Sequence, residues 1–344
     1  FRSLCPASSE SLSLGLPDEW CGQLVGALFG LATVLLIAGF SASRWGPRAA
    51  LFAAVFLGGS ILHLAYSRSA LCESDCVFFI VAAVLAYASG LEAAPGTSRV
   101  LWFVTAGLSF GAAFVCNVRA LPVAYSLVLF EAMLLAPRES FKRLVTFAAA
   151  AAVPLAVAES LYHEVFLISG ATGVLLCRQT YVHTLAWQFF RLSGGVMEPG
   201  ANPGHYPRYL FAVENPLLLI AFGCGLAYLM WRARTRTVER LLAVVSIGVG
   251  LYWQLAVGIK CMRYLAPLLP LIAMGAGLAV ARLLERRAAP DAATLAAALG
   301  MVAACSVAWS PWQGETPGYR EAADWLPAHG RPRIVATHAN YFRL

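Results

Sequence analysis

One short polar link of the sequence, residues 67–75, brings an arginine and two acids together. Arg68 is followed by Glu73 and Asp75 immediately before a long apolar run. Carboxylates in such a position can take a proton from an attacking hydroxyl or bind a divalent cation. The link therefore predicts either a general base or a metal site at Glu73 or Asp75.

A second group of residues is basic and suits an anionic ligand. Arg119 lies in another polar link, and Lys260 and Arg263 stand three positions apart in a third. Arginine binds phosphate through a two-pronged fork and lysine binds it as a point charge. Together with Arg68, these residues predict a site for a phosphate group.

The composition indicates which solvent surrounds these links. Of the 344 residues, 60% are hydrophobic and 12% are charged, whereas a soluble domain carries about 25% charged residues. So few charges cannot cover a water-exposed surface, which excludes a soluble enzyme and predicts a polytopic membrane protein. The formal net charge of +7 is then expected to report membrane topology, and no nucleic-acid partner is expected.

Membrane-spanning helices must position the candidate residues. A helix that crosses the hydrocarbon core needs about 20 apolar residues. The sequence therefore predicts an all-α bundle in which no span is broken and no half repeats the other. The ten apolar segments lie near 22–42, 49–66, 76–91, 100–116, 121–137, 143–161, 214–231, 241–259, 264–281 and 291–309.

Every second link between these segments is rich in arginine, which predicts that those links are cytoplasmic. Both groups of candidate residues then lie on the outer side. Charged and tyrosine anchors at span ends are one interpretation of them. A lipid-phosphate site is the other, because ionisable groups at a membrane edge mark function. Glu131, near the cytoplasmic side, is expected to pair with a neighbouring basic residue.

Three regions are predicted along the chain. Residues 1–21 form an outer segment, 22–309 the transmembrane domain with an outer loop at 162–213, and 310–344 the start of a small outer α/β region. Within the loop, helical spacing predicts a helix lying in the headgroup plane over 181–192. The sequence is expected to be incomplete at both ends.

Three stretches resemble a known family. The run KCMRYLAPLLPLI at 260–272 is similar to the Lys-x-x-Arg-Tyr-x-x-Pro-x-x-Pro signature of polyprenyl-phosphate-sugar-dependent glycosyltransferases with the GT-C fold. Residues 63–87 and 205–232 resemble segments of its dolichyl-phosphate-mannose protein mannosyltransferase-like group, which includes the aminoarabinose lipid A transferases. The resemblance extends over roughly residues 20–320.

The resemblance implies an activity. A hexosyl or pentosyl group would pass with inversion from a polyprenyl phosphate to a hydroxyl of a lipid, glycan or protein acceptor. The reaction would occur at the outer face of a membrane, the bacterial inner membrane by this resemblance. Lys260 and Arg263 would stabilise the leaving phosphate with help from Arg119.

The resemblance also assigns the remaining candidate residues. Glu73 or Asp75 corresponds to a second-loop acid that binds the acceptor or a divalent metal ion. The family's principal acid belongs to an earlier loop that this sequence does not contain. The substrate would also contact Tyr264, and His205 and Tyr206 in the loop that roofs the cavity.

A secondary transporter or a flippase for lipid-linked sugars is the alternative function. Such proteins combine two corresponding halves with broken helices whose polar groups meet at the bilayer midplane. A cavity that faces outward favours sugar transfer, whereas a midplane cavity favours transport.

Overall fold

The computed structural model describes residues 18–68, 73–161, 164–170, 173–179, 181–182, 205–256, 262–288 and 290–309. These residues form a helical bundle, and each of the ten apolar segments contains a helix. The helices are α1 (Asp18–Trp45), α2 (Pro47–Gly58), α3 (Ile61–Ser67), α4 (Glu73–Glu92), α5 (Thr97–Cys116), α6 (Leu121–Met133), α7 (Pro137–Leu161), α8 (His205–Val213), α9 (Pro216–Arg232), α10 (Thr237–Leu251), α11 (Leu268–Arg286) and α12 (Asp291–Trp309).

The predicted all-α membrane architecture is confirmed. Among the described residues, five helices are long and apolar enough to cross a membrane, and six if α2 and α3 count as one span. Helices α9 and α12 are shorter apolar helices. Helix α4 begins at Glu73, so its first turn lies inside the polar link that precedes the apolar run.

The prediction of unbroken spans is wrong for the second apolar segment. Helices α2 and α3 meet at an angle of 68°. Gly58 and Gly59 lie at the break, and Ser60 caps α3 by accepting a hydrogen bond from the His63 backbone N–H at 3.2 Å. Two consecutive glycines weaken a helix and the serine cap starts a new one, so the chain turns here.

The segment predicted as a loop at 162–213 contains two strands that were not predicted from the sequence. Strands β1 (Glu164–Gly170) and β2 (Gly173–Gln179) pair in antiparallel register, with Glu164 opposite Gln179 and Gly170 opposite Gly173. The β-branched and aromatic residues of β1 favour an extended chain. The helix predicted over 181–192 falls mostly outside the described residues, as do residues 1–17 and 310–344.

Small residues allow the central helices to pack closely. A Cβ atom added at Gly225 in α9 would lie 2.4 Å from the Ala276 backbone nitrogen in α11. A Cβ added at Gly277 would lie 2.6 Å from the Ala49 carbonyl oxygen in α2. Backbones can approach this closely only where side chains are minimal, so α11 is held between α2 and α9 at the centre of the bundle.

Arginines make ion pairs at one end of the bundle, which we call the arginine end. Arg44 pairs with Glu92, and Arg48 pairs with Asp291 at 2.8 Å. The buried carboxylate of Glu131 accepts two hydrogen bonds from Arg143, at 3.0 and 2.6 Å, and one from Tyr87 at 2.5 Å. The predicted pairing of Glu131 with a basic residue is therefore confirmed.

Candidate functional site

Glu73 and Arg119 meet at the opposite end of the bundle. Glu73 is in the first turn of α4 and is buried, and its Oε1 lies 2.5 Å from Nη1 of Arg119. Arg119 belongs to a 3-10 turn, Val118–Ala120, that follows α5, and the Asn117 side chain caps this turn by accepting from the Arg119 N–H at 3.1 Å. These two residues, predicted from the sequence to belong to separate acidic and basic groups, form one ion pair in the structure.

The Arg119 side chain also contacts an aromatic ring, which in turn stacks on a second ring. Its guanidinium carbon lies 4.7 Å from the centre of the Tyr264 ring, as in a cation–π contact. The Tyr264 ring is stacked on Trp253, with ring centres 4.3 Å apart. We call Glu73, Arg119, Tyr264 and Trp253 the arginine column.

Three of the four segments that carry the column are not regular α-helix. Trp253 lies in a π-helical turn, Tyr252–Ala256, that continues α10, and Tyr264 lies in a 3-10 turn, Met262–Leu265. Such turns change the direction of side chains within a helical stretch, and π-helical turns are frequent at functional sites. Four parts of the sequence thus contribute one side chain each to a compact column.

A small cavity lies next to the column. His63, Tyr66 and Ser67 of α3 line it together with Glu73 and Ser74 of α4; Val77 and Ala266 complete the lining. The Ser74 hydroxyl donates to the Tyr66 carbonyl oxygen at 2.9 Å, which ties the end of α3 to the start of α4. The cavity therefore combines an acid, hydroxyl groups and an imidazole at the end of the bundle where the sequence predicted a site.

Asp75 has a different environment from Glu73. Its carboxylate accepts a hydrogen bond from the Cys76 backbone N–H at 3.1 Å and one from the Cys116 thiol. It is half-buried rather than buried. Of the two acids between which the sequence analysis did not choose, Glu73 is held by a cation and Asp75 by neutral donors.

The predicted metal site at Glu73 and Asp75 stays a prediction. Among the described residues, no group of three or more histidine, cysteine, aspartate or glutamate side chains is arranged to hold a metal ion. Glu73 directs Oε1 at a guanidinium, which takes up negative charge that a divalent cation would require.

The other predicted site residues are described to different extents. Arg68 follows the last turn of α3 and is exposed. Arg263 lies in the same 3-10 turn as Tyr264, one position before it, and only its backbone is described. Lys260 lies outside the described residues. The predicted convergence of these basic residues therefore stays a prediction.

His205 and Tyr206 form the start of α8. Tyr206 is buried within the hydrophobic core, while the side chain of His205 is outside the described part. Their predicted contact with substrate stays a prediction.

Two residues that contribute to this end of the bundle were missed. Trp253 supports Tyr264, but an aromatic residue in an apolar run gives no signal beyond hydrophobicity. Glu214 is buried and accepts hydrogen bonds from the start of α3. Its position directly before Asn215 and Pro216, a helix-start pattern, was the one signal that could have drawn attention to it.

The family model described as "Dolichyl-phosphate-mannose-protein mannosyltransferase" matches residues 11–163. The match covers α1 to α7, including Glu73, Asp75 and Arg119. No curated protein sequence is significantly similar to the chain.

Solved structures match over most of the chain. ArnT from Cupriavidus metallidurans bound to undecaprenyl phosphate superposes with a TM-score of 0.62 at 16% identity, covering 92% of this chain and 56% of that one. The apo state of the same protein gives 0.60 at 15% identity, with 89% and 54% covered. The fold is GT-C.

An archaeal protein has the same GT-C architecture. The Archaeoglobus fulgidus oligosaccharyltransferase, in a complex with Zn and sulfate, gives a TM-score of 0.60 at 15% identity, covering 90% of this chain and 44% of that one. The chain spans about half the length of these solved structures. At these identities the similarity defines the GT-C fold alone.

Proposed function

We propose that this protein is a glycosyltransferase that uses a polyprenyl-phosphate-linked sugar as its donor. The single observation that carries the proposal is the arginine column, in which Glu73 fixes the Arg119 guanidinium and also lines the small cavity. The family match over residues 11–163 supports it. So does the similarity to ArnT, whose structure is bound to undecaprenyl phosphate.

Arg119 is proposed to hold the donor phosphate. A guanidinium has five N–H donors, and the contact with Glu73 engages Nη1. The remaining donors can bind phosphate oxygens, while Glu73 and the Tyr264 ring fix the plane of the fork. Arg263, next to Tyr264, and Lys260 would add positive charge, and Arg68 would contribute from the end of α3.

The proposed reaction is a direct displacement at the anomeric carbon of the sugar. The acceptor oxygen forms a bond to that carbon, the bond from carbon to the phosphate oxygen breaks, and the polyprenyl phosphate leaves with the electron pair. Arg119 stabilises the negative charge that develops on the leaving oxygen. Inversion of configuration follows from a single displacement.

Asp75 is the proposed acceptor of the hydroxyl proton. Glu73 is not proposed as the base, because protonation would neutralise its carboxylate and weaken the ion pair that holds the Arg119 guanidinium in place. Asp75 has only neutral hydrogen-bond partners among its described contacts, so no cation holds its carboxylate. Its carboxylate is therefore proposed to act as general base.

The location and substrates extend this proposal. The arginine-rich links are proposed to be cytoplasmic and the column to lie at the outer face, in a bacterial inner membrane. A hexose or pentose is the proposed sugar, and a lipid, glycan or protein hydroxyl is the proposed acceptor. His205 and Tyr206 in α8 are proposed to lie on the acceptor side of the cavity.

Binding of undecaprenyl phosphate tests the phosphate site. The full chain in lipid nanodiscs is expected to bind undecaprenyl phosphate, and Arg119→Ala is expected to weaken binding by at least about tenfold, the loss of one charge-assisted hydrogen bond. Arg282→Ala is the matched control, because Arg282 pairs with Glu285 at 2.6 Å on an exposed surface. Equal binding by both variants would contradict the assignment.

Sugar transfer tests the reaction. Membranes that contain the protein are supplied with labelled synthetic undecaprenyl-phosphate hexose or pentose, and transfer of label to membrane acceptors is measured. Asp75→Asn is expected to abolish transfer and to leave undecaprenyl phosphate binding intact. Lys260→Ala and Arg263→Ala are expected to weaken both, and unchanged transfer in these two variants would refute their role.

Transport remains a second candidate because of one observation. The break between α2 and α3 is a feature that transporters use, and the sequence analysis wrongly expected no broken span. A flippase would move a fluorescent undecaprenyl-phosphate sugar across the bilayer of a proteoliposome without breaking the glycosidic bond. The glycosyltransferase proposal requires the opposite result, bond cleavage at the face where donor is supplied.

A further inference from the structure

A buried acid that the proposed reaction does not use lies between α8 and α9. Glu214 is 3% exposed and accepts three hydrogen bonds. The donors are the Ser60 hydroxyl at 2.6 Å, the Ile61 backbone N–H at 3.1 Å and the Leu62 backbone N–H at 2.8 Å. All three belong to the start of α3, immediately after the break in the second span.

The electrostatics of a helix start explain why a carboxylate is stable there. The first amide groups of a helix have no partner within it and carry a partial positive charge. A carboxylate among apolar helices is otherwise costly. Ser60 already caps α3 through the His63 N–H, so ending and starting a helix at this point does not require an acid from a distant part of the chain.

The next residue extends the connection to two further helices. The Asn215 side chain accepts from the Leu217 N–H at 2.8 Å, which caps α9. Its amide nitrogen donates to the Ala304 carbonyl oxygen of α12 at 3.2 Å. Beside it, Cys305 packs so closely against Gly59 that a Cβ on the glycine would lie 2.6 Å from the sulfur.

Helix α3, which Glu214 holds at its start, forms one wall of the cavity. His63, Tyr66 and Ser67 line the cavity, and the Tyr66 carbonyl oxygen accepts from Ser74 in α4 at 2.9 Å. Ser67 also packs against Gly30 of α1, where an added Cβ would lie 2.2 Å from its hydroxyl oxygen. A helix of seven residues makes few contacts of its own, so its position depends on these attachments.

We propose that Glu214 is a positioning residue for the cavity. Its carboxylate fixes the start of α3, so that the wall beside Glu73 is correctly placed for the polyprenyl phosphate. The same residue ends the segment that carries α8, so the position of α8 and the shape of the cavity are coupled. What the cavity binds rests on the proposed function, whereas the attachment of α3 does not.

Hydrogen–deuterium exchange of the full chain in nanodiscs tests the attachment. Glu214→Ala is expected to increase exchange in α3 by about tenfold, the loss of charge-assisted bonds to its amides, while exchange in α10 is unchanged. Glu214→Gln keeps an acceptor oxygen and is expected to give an intermediate increase. Unchanged exchange in α3, or an equal increase in every helix, would overturn the proposal.

Binding of undecaprenyl phosphate to the same samples tests the consequence for the cavity. Glu214→Ala is expected to weaken binding by about tenfold and Glu214→Gln by less. Faster exchange in α3 with wild-type affinity would overturn the positioning role. If the wild-type protein does not bind undecaprenyl phosphate, the proposed function fails, and the exchange experiment alone decides whether Glu214 holds α3.

The variant Glu139→Ala is the matched control. Glu139 is an exposed acid in the first turn of α7 that pairs with Lys142 at 3.0 Å. Its removal is expected to change neither exchange in α3 nor affinity. An effect of this variant as large as that of Glu214→Ala would assign the result to membrane-protein stability in general and overturn the specific role.

Discussion

The two ends of the bundle both contain buried arginine–glutamate pairs, but they use them differently. At the arginine end, Arg143 and Tyr87 together satisfy the carboxylate of Glu131 with three hydrogen bonds. At the cavity end, Glu73 engages one nitrogen of Arg119, whose guanidinium also contacts an aromatic ring. Where neighbouring side chains provide all the hydrogen bonds of the carboxylate, the ion pair stabilises the fold. Where the arginine keeps N–H donors available beside a cavity, the pair can bind a ligand.

The difference predicts that Arg143→Ala has the largest effect on stability. It would leave the Glu131 carboxylate, which is 1% exposed, without its cation, a change that costs about 3–5 kcal/mol. Thermal unfolding in detergent measures this loss. The double variant Arg143→Met, Glu131→Leu is expected to regain much of the stability, and a double variant as unstable as the single one would show that the pair is not the cause.

A conservative change at Arg119 is expected to reduce ligand binding with less effect on stability. Arg119→Lys keeps a positive charge near Glu73 but loses the planar fork. We expect undecaprenyl phosphate to bind about tenfold more weakly, since a charge-assisted hydrogen bond is lost. Isothermal titration of the protein in nanodiscs measures the affinity. Wild-type affinity in the lysine variant would show that only net charge matters at this end.

The aromatic support of Arg119 should make a smaller contribution. Tyr264→Leu removes the ring beneath the guanidinium, and a cation–π contact contributes about 0.5–2 kcal/mol. We therefore expect a severalfold loss of affinity for undecaprenyl phosphate, and little loss for Tyr264→Phe, which retains the ring. If the phenylalanine variant binds as weakly as the leucine variant, the tyrosine hydroxyl rather than the ring is the important group.

The smallest effect is expected from an exposed pair at the arginine end. Lys142 lies 3.0 Å from Glu139, and both side chains are more than half exposed. Solvent screens such exposed pairs and they contribute little to stability, so Lys142→Ala should leave the thermal unfolding temperature nearly unchanged. A large shift would mean that charge at this end stabilises the fold even without burial.

The sequence allowed the helices to be predicted because apolar length is a local property. Each predicted segment contains a helix, and the pairing of Glu131 was anticipated from an acid placed within an apolar run. The break at Gly58 and Gly59 was not predicted, although two glycines and a serine that can cap a helix are visible in the sequence. The spans were predicted from apolar length alone, and two glycines do not interrupt an apolar segment. The hairpin of β1 and β2 was not predicted, because residues 162–213 were assigned as a loop only from the positions of the flanking spans.

The site was predicted by residue type but not by arrangement. Glu73 and Arg119 were both identified at one end of the bundle, yet they were given separate roles because their ion pair joins segments that are distant in sequence. Trp253 and Glu214 were missed for the same reason: each acts only through a partner that the tertiary structure supplies. Tyr264 was identified through a signature, and its ring contact was not foreseeable from spacing.

The early turn of the second span has a consequence for how a lipid would reach this protein. Helix α2 has twelve residues and rises about 18 Å, whereas the hydrocarbon layer is about 30 Å thick. The chain therefore bends by 68° before α2 has risen through that thickness, and α3, which lines part of the cavity, runs obliquely to α2. For the proposed isoprenoid donor, an oblique α3 would let the anionic head arrive by lateral diffusion, without lifting the tail out of the bilayer.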